Sequence, residues 1–223
     1  SISHDFRTPL TTIIGSTSAM IEKASALSPA QWTQLLQDVL QEARRLHNLS
    51  SRLLDLARLE EGAVRPAQEW CPAEELMAEV KAASEALLTQ HVVETRYRPD
   101  DLLWCDPQLL LQLVQNLLAN AVQHTPKGGL IRLLMVARGR CWYLIVKDSG
   151  TGVPLGQEAL IFQKFNRAAS GQRREGTGLG LSICAAIVKL HGGTIQVSNR
   201  GGARFAVTFP QPLVPPSLEE FGA

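Results

Sequence analysis

The 223-residue sequence predicts two parts of different fold class, a helical hairpin followed by an α/β domain. Leucines at coiled-coil spacing over residues 29–61 indicate a long amphipathic helix. Alternating apolar and polar residues in several later segments indicate short strands between helices. A glycine-rich run at residues 176–180 opens an apolar helix, a pattern typical of turns that bind phosphate, although such a turn also caps ordinary helices. We therefore predict a domain at 1–61, a linker at 62–72, a second domain at 73–210 and a tail at 211–223.

The composition narrows the class of protein. A net charge of +1 and a hydrophobic content of 45% are ordinary for a globular chain and give no basis for nucleic acid as the main partner. No apolar run is long enough to span a bilayer. The four cysteines are widely spaced, which argues against zinc or disulfides and favours reduced thiols. Because residue 1 already lies inside a motif, we expect a fragment of a longer chain.

The first domain is predicted to contain helices over residues 1–25 and 29–61. Ser28 can cap the second helix, Pro29 suits its first turn, and Gly62 can end it. Such a narrow hairpin cannot bury two apolar faces by itself. Pairing of two copies into a four-helix bundle is therefore favoured over packing against the rest of the same chain.

A histidine lies near the start of the first helix, in the run Ser-His-Asp-Phe-Arg-Thr-Pro-Leu at residues 3–10. An imidazole near neutral pH is largely unprotonated and nucleophilic. Asp5 could orient the ring of His4 or accept its proton during attack on an electrophile. Phosphoryl transfer to His4 is one interpretation, and an ordinary surface histidine is the other.

The second domain is predicted to alternate helices and strands. Helices are expected at 73–90, 107–124 and after residue 180, and strands near 70–71, 92–97, 102–105, 130–137, 141–147, 194–199 and 203–209. Gln112, Asn116 and Asn120 recur every four residues and therefore share one helical stripe. Two asparagines there could supply carbonyl oxygens to Mg²⁺, whereas a polar surface stripe is the alternative.

Two further patterns suggest a nucleotide site. Asp148 ends a strand and precedes a glycine turn, which suits a hydrogen bond from an adenine amine, with Gly150 and Gly152 leaving room for the ring. Phe162 and Phe165 could hold the base of a loop from which Arg167 reaches phosphate. The small, polar and basic residues 168–176 are typical of a mobile lid.

The order of these motifs resembles the cytoplasmic core of bacterial sensor histidine kinases. The His-Asp-x-Arg-Thr-Pro-Leu box, Asn-Leu-Leu-x-Asn-Ala, Asp-Ser-Gly-Thr-Gly, Phe-x-x-Phe and Gly-Thr-Gly-Leu-Gly-Leu follow one another across nearly the whole chain. Each motif is weak alone, but the five in order are specific. The runs at 3–10, 69–70 and 218–221 are similar to the potassium-responsive, KdpD-type group of this family.

The resemblance implies a dimerisation and phosphoacceptor hairpin followed by a Bergerat-type (GHKL) α/β sandwich that binds ATP. It implies that His4 is the phosphoacceptor, Asp5 its acid–base neighbour, and Thr8 a residue for dephosphorylating the response regulator. Asn120 is the implied Mg²⁺ ligand. The residues implied to bind ATP are Asn116, Asn120, Gln123, Asp148, Gly150, Gly152, Phe165, Arg167, Gly176, Thr177, Gly178, Leu179 and Gly180.

The implied partners are a second copy of the chain and a cognate response regulator. The implied parent protein is anchored in the inner membrane, keeps its kinase core in the cytoplasm, and responds to potassium or turgor. A hinge within 62–72 would bring the nucleotide to the histidine.

Gln123 departs from the family pattern, because lysine or arginine is common there, so Arg167 or Lys127 would have to supply that charge. Two other classes stay open, namely another ATPase of the same nucleotide fold and a non-catalytic ATP-binding dimeric scaffold. The His4 box argues against the first, and the intact Asn120 and Asp148 argue against the second.

Overall fold

The computed structural model describes residues 2–165 and 178–213. It divides into two compact units, Ser1–Asp55 and Leu56–Ala223. The division falls six residues before the end of the predicted first domain, and the domain bounds from sequence stay a prediction. Arg167, Gly176, Thr177, the expected lid at 168–176 and most of the expected tail lie outside the described residues.

The first unit is a helical hairpin made by α1 (Ile2–Glu22) and most of α2 (Pro29–Glu60). The turn before α2 carries a capping box. Ser28 N donates to Gln31 Oε1 at 2.9 Å, and Gln31 N donates to Ser28 Oγ at 3.3 Å. The predicted cap is confirmed, and Gln31 completes it.

The second unit contains three helices and seven strands within the described part of the chain. These are β1 (Glu69–Pro72), α3 (Ala73–Leu88), β2 (Val92–Arg96), β3 (Leu102–Cys105), α4 (Pro107–His124), β4 (Leu130–Arg138), β5 (Cys141–Asp148), α5 (Gly180–Leu190), β6 (Thr194–Asn199) and β7 (Ala203–Pro210). A short 3-10 helix covers Leu160–Phe162. The elements predicted for this unit are confirmed to within two residues at their ends, whereas the first helix, predicted over residues 1–25, ends at Glu22.

The main sheet has five strands in the order β2-β4-β5-β7-β6, in which only β2 and β4 are parallel. Helix α4 packs on β5 and against α3 and α5, and α5 packs on β6. Trp142, Phe205 and Phe209 are buried in the sheet layer. The helical hairpin followed by an α/β sandwich is therefore confirmed. Among the described helices, none is long and apolar enough to cross a membrane.

Strand β1 belongs to a separate two-stranded sheet, in which it pairs antiparallel with β3. The rings of Trp70 and Trp104 meet edge to face across this pair, with centroids 5.3 Å apart. Part of the predicted linker 62–72 is thus a strand of the second unit.

Asp106 joins three parts of the second unit. Its Oδ1 accepts from Gln108 N and Leu109 N and so caps α4. Its Oδ2 accepts from Ala67 N at 2.8 Å, and its own backbone N donates to His191 Nε2 at 3.1 Å. The segment from Ala67 onward is therefore fixed to the second unit.

Replacing Asp106 by alanine should lower the free energy of unfolding of the second unit by about 2 kcal/mol, because a helix cap and the partner of Ala67 N are lost together. Asp106→Asn should lose less, because its Oδ1 can still cap α4. Urea unfolding followed by tryptophan fluorescence measures both effects. Asp100→Ala, which removes an exposed carboxylate from the loop between β2 and β3, is the control. Equal midpoints for all three variants would contradict this role of Asp106.

Candidate functional site

A buried carboxylate ends β5. Asp148 is only 2% exposed. Its Oδ1 accepts from Gly150 N at 2.8 Å and from Ala203 N at 3.0 Å. Both bonds within the described residues use the same oxygen, so Oδ2 is the oxygen with which Asp148 can accept from a ligand.

Glycines surround this carboxylate because side chains would not fit there. A Cβ at Gly150 would collide with the carbonyl oxygen of His124, and a Cβ at Gly202 would collide with that of Asp148. Gly152 adopts φ +75°, which other residues resist. The backbone therefore comes close to the Asp148 carboxylate from two sides.

The polar stripe of α4 faces the start of α5. Gln112, Asn116 and Asn120 are half-buried. The Oδ1 atom of Asn116 lies 3.5 Å from the position that a Cβ on Gly180 would take. The structure therefore brings together the asparagine stripe and the glycine turn, as the sequence predicts.

The first turn of α5 offers backbone donors. Ile183 N makes the first helical bond, to Leu179 O at 3.0 Å, so the N–H groups of residues 180–182 precede the helical ladder. Gly178 adopts φ +66° just before this turn. Leu179 is fully buried, so its side chain belongs to the core and does not face a ligand.

The two ends of the undescribed segment 166–177 meet. Phe165 N donates to Gly178 O at 3.1 Å. Phe165 adopts φ +59°, a strained conformation for a residue with a side chain. The Phe162 ring packs edge to face on Phe205, with centroids 6.3 Å apart. The predicted phenylalanine pair thus lies at the base of the segment expected to carry the lid.

The donor set of the stripe fits Mg²⁺. Amide oxygens are hard ligands, and Mg²⁺ is usually bound by few protein groups together with phosphate oxygens and water. Within the described ranges, no three His, Cys, Asp or Glu residues form a cluster that could hold a metal. Asn120, one turn after Asn116 on the same face, fits an ion that is shared with a phosphate ligand.

In the first unit, His4 lies exposed beside a carboxylate. Its Nδ1 is 3.7 Å from Asp5 Oδ1, and the His4 side chain is 75% exposed whereas that of Asp5 is 12% exposed. Thr8 Oγ1 donates to His4 O at 3.1 Å, one helical turn away. An accessible imidazole can act as a nucleophile, and an adjacent carboxylate can act as its acid–base partner.

Sequence reasoning missed two residues of the second unit, Asn199 and Gly202. Asn199 bonds the backbone of Val153, 46 positions away in sequence. Gly202 leaves room for the backbone at Asp148. The Asn-Arg-Gly-Gly run after β6 predicts a turn, but no local signal shows what that turn touches.

Two family models match the chain in succession. The His Kinase A (phospho-acceptor) domain matches residues 1–62, and the histidine kinase-, DNA gyrase B- and HSP90-like ATPase matches residues 105–213. Together they cover most of the chain, and the second model identifies ATP as the nucleotide that this fold uses.

The chain is also similar to named histidine kinases. It is 38% identical to sensor protein KdpD of Escherichia coli (strain K12) over 99% of its own length and 25% of that protein. It spans about a quarter of the length of the first curated relatives that it matches. The predicted KdpD-type resemblance is confirmed.

Two solved structures have the same fold. The histidine kinase AdeS of Acinetobacter baumannii has a TM-score of 0.73 at 24% identity, covering 93% of this chain and 98% of that one. Histidine kinase ThkA, solved in complex with response regulator protein TrrA, has a TM-score of 0.73 at 25% identity, covering 95% and 60%. With a phosphoacceptor hairpin followed by an ATPase sandwich, the chain belongs to the sensor histidine kinases.

Proposed function

We propose that this chain transfers the γ-phosphoryl group of ATP to His4 and then to an aspartate of a response regulator. The observation that carries the proposal is the exposed His4–Asp5 pair on a helical hairpin, followed in the same chain by a buried Asp148 among close-packed glycines. A phosphoacceptor histidine without a nucleotide site would have no phosphoryl donor in the same chain. A nucleotide site without the histidine would have no acceptor.

The histidine chemistry follows from the orientation of the ring. Nδ1 faces Asp5, so Nε2 is the nitrogen that attacks phosphorus in line. The Nε2–P bond forms as the bond between phosphorus and the ADP oxygen breaks, and ADP leaves with that electron pair. Asp5 stabilises the proton on Nδ1, so the ring need not lose it before attack.

The nucleotide is bound by the second unit. Asp148 Oδ2 accepts a hydrogen bond from the adenine amine, and the open N–H groups at the start of α5 bind phosphate oxygens. Asn120, with Asn116 beside it, would hold Mg²⁺, which neutralises charge on the transferring phosphoryl group. Gln123, Phe165, Arg167, Gly176 and Thr177 complete the proposed ATP site.

We propose domain bounds of 1–61, 62–72 and 73–210, with the movable hinge confined to residues 62–66. Gly62 adopts φ +69° just after α2. Ala67 N and strand β1 are bonded within the second unit, so they move with it. The pivot is thereby shorter than the whole linker.

A homodimer is proposed because the hairpin exposes large apolar side chains: Leu10, Ile14, Ile21, Leu36, Leu40 and Leu54 are 45–79% exposed. Pairing with a second hairpin would bury them. Sedimentation velocity distinguishes a pair from a monomer.

The phosphoryl acceptor and the cellular location of the parent protein are proposed from the similarity to other histidine kinases. A response regulator receiver domain would be the acceptor, as the ThkA complex suggests. Thr8 would assist dephosphorylation of that partner, as the family resemblance implies. A membrane-anchored parent with a cytoplasmic kinase core, acting in potassium or turgor signalling, agrees with the KdpD resemblance.

Incubation with γ-labelled ATP tests the function. We expect label on the protein that is stable in base and lost in acid, as an N–P bond requires, and no label when EDTA removes Mg²⁺. Binding of ATP without any such label, in a sample shown to be dimeric, would favour the ATP-binding scaffold instead.

A further inference from the structure

The loop that follows Asp148 is held from one side by the carboxylate itself. Asp148 Oδ1 accepts from Gly150 N, which fixes the first half of the turn. Beyond Gly150 the chain leaves the sheet, and residues 151–154 have no regular secondary structure. The bonds of the Asp148 carboxylate go to Gly150 and Ala203, and the second half of the loop is instead bonded by a residue of β6.

Asn199, the last residue of β6, makes that contact. Its Oδ1 accepts from Val153 N at 2.8 Å, and its Nδ2 donates to Val153 O at 2.7 Å. One planar amide thus pairs with both polar groups of one residue, as a neighbouring strand would. We call these two bonds the Asn199 clamp.

The clamp depends on a glycine of the same loop. A Cβ on Gly152 would lie 2.5 Å from Asn199 Oδ1, closer than such atoms approach. The missing side chain at 152 therefore makes room for the amide, in addition to allowing φ +75°. Gly152 and Asn199 form one matched pair.

The turn that presents Asn199 also supports Asp148. Arg200 N donates to Gly202 O at 2.9 Å, which closes the turn between β6 and β7. Ala203 N, just after this turn, donates to Asp148 Oδ1 at 3.0 Å. The same short hairpin therefore fixes both the carboxylate and the far end of its loop.

We propose that Asn199 is a positioning residue for adenine binding, acting through Val153 and Gly152 without touching the nucleotide. This rests on the proposed ATP site at Asp148. A loop fixed at both ends loses no further freedom when the base enters, so the clamp raises affinity by preorganisation. Its loss weakens binding and leaves phosphoryl transfer at saturating ATP nearly unchanged.

The test compares Asn199→Ala with the wild-type chain by calorimetric titration with Mg²⁺ and ADP. We expect the dissociation constant to rise roughly tenfold, because a loop that the clamp no longer holds must be ordered when the base enters. The labelling rate at saturating ATP should change less than twofold, so the effect appears in KM and not in kcat. Asn199→Asp should bind no better than the alanine variant, because its second oxygen would face the Val153 carbonyl.

Gln211→Ala is the matched control. Gln211 Nε2 donates to Gly139 O at 3.0 Å, a bond of the same kind at the opposite end of β5. We expect Gln211→Ala to leave the affinity for ADP unchanged. Hydrogen exchange at the Val153 amide gives a readout that needs no nucleotide, and protection there should fall in Asn199→Ala alone.

Unchanged ADP affinity in Asn199→Ala, or an equal loss in Gln211→Ala, would overturn the proposal. Unaltered Val153 protection in Asn199→Ala would do so as well. A wild-type chain that binds no ADP would instead refute the nucleotide site at Asp148, and with it any role of Asn199 in binding.

Discussion

Replacing Asp148 by asparagine raises the dissociation constant for ATP by about 10- to 100-fold, the loss expected for one hydrogen bond to a charged group. Two backbone N–H groups hold Oδ1, so the new amide must keep its oxygen there. Its NH₂ group then points where Oδ2 was and meets the adenine amine donor to donor. Stability should change little, because both bonds to Oδ1 survive.

Inosine triphosphate tests whether Asp148 binds the adenine amine, because it carries a carbonyl oxygen where ATP carries that amine. The wild-type chain should prefer ATP, and Asp148→Asn should lose most of that preference. Titration calorimetry of both nucleotides on both proteins gives the coupling between the side chain and the base. Equal weakening of the two nucleotides would mean that Asp148 supports the loop but does not bind adenine.

Helix α4 shows how much the sequence alone could predict. Apolar residues recur along it at steps of three and four, and the six that share one face are buried: Leu110, Leu113, Val114, Leu117, Leu118 and Ala121. The asparagine stripe between them was predicted for the same reason. Local periodicity fixes which face of a helix is buried before its partners are known.

The support of the Asp148 loop could not be predicted in this way. Asp148 meets Ala203 across 55 positions, and Asn199 meets Val153 across 46. Neither residue type nor spacing encodes such a contact, because it arises only when β5, β6 and β7 pair. The glycine motif is recognisable in the sequence. That a side chain at position 152 would collide with Asn199 is seen only in the structure.

The linker shows a different limit. A short strand is predicted at residues 70–71 and Glu69–Pro72 do form one, but nothing in the sequence indicates that it pairs with β3. A four-residue strand carries too weak a signal to reveal its partner. The Ala67–Asp106 bond ties one more residue of the segment to the second unit, again through a contact between distant residues.

Replacing His4 by glutamine should abolish incorporation of the γ-phosphoryl group, because no other histidine combines exposure with an adjacent carboxylate in the described residues. His191 has both ring nitrogens bonded to backbone, and His91 Nε2 contacts Thr125 O. His47 is exposed on α2, which makes His47→Gln the matched control. That control should label like the wild-type chain.

The most direct measurement is to locate the phosphoryl group itself. The wild-type chain is incubated with Mg²⁺ and ATP, digested at mildly alkaline pH, and mapped by mass spectrometry. We expect phosphohistidine at His4 and at none of His47, His91, His124 or His191. Phosphate on another residue while His4 stays unmodified would contradict the assignment of His4 as the acceptor.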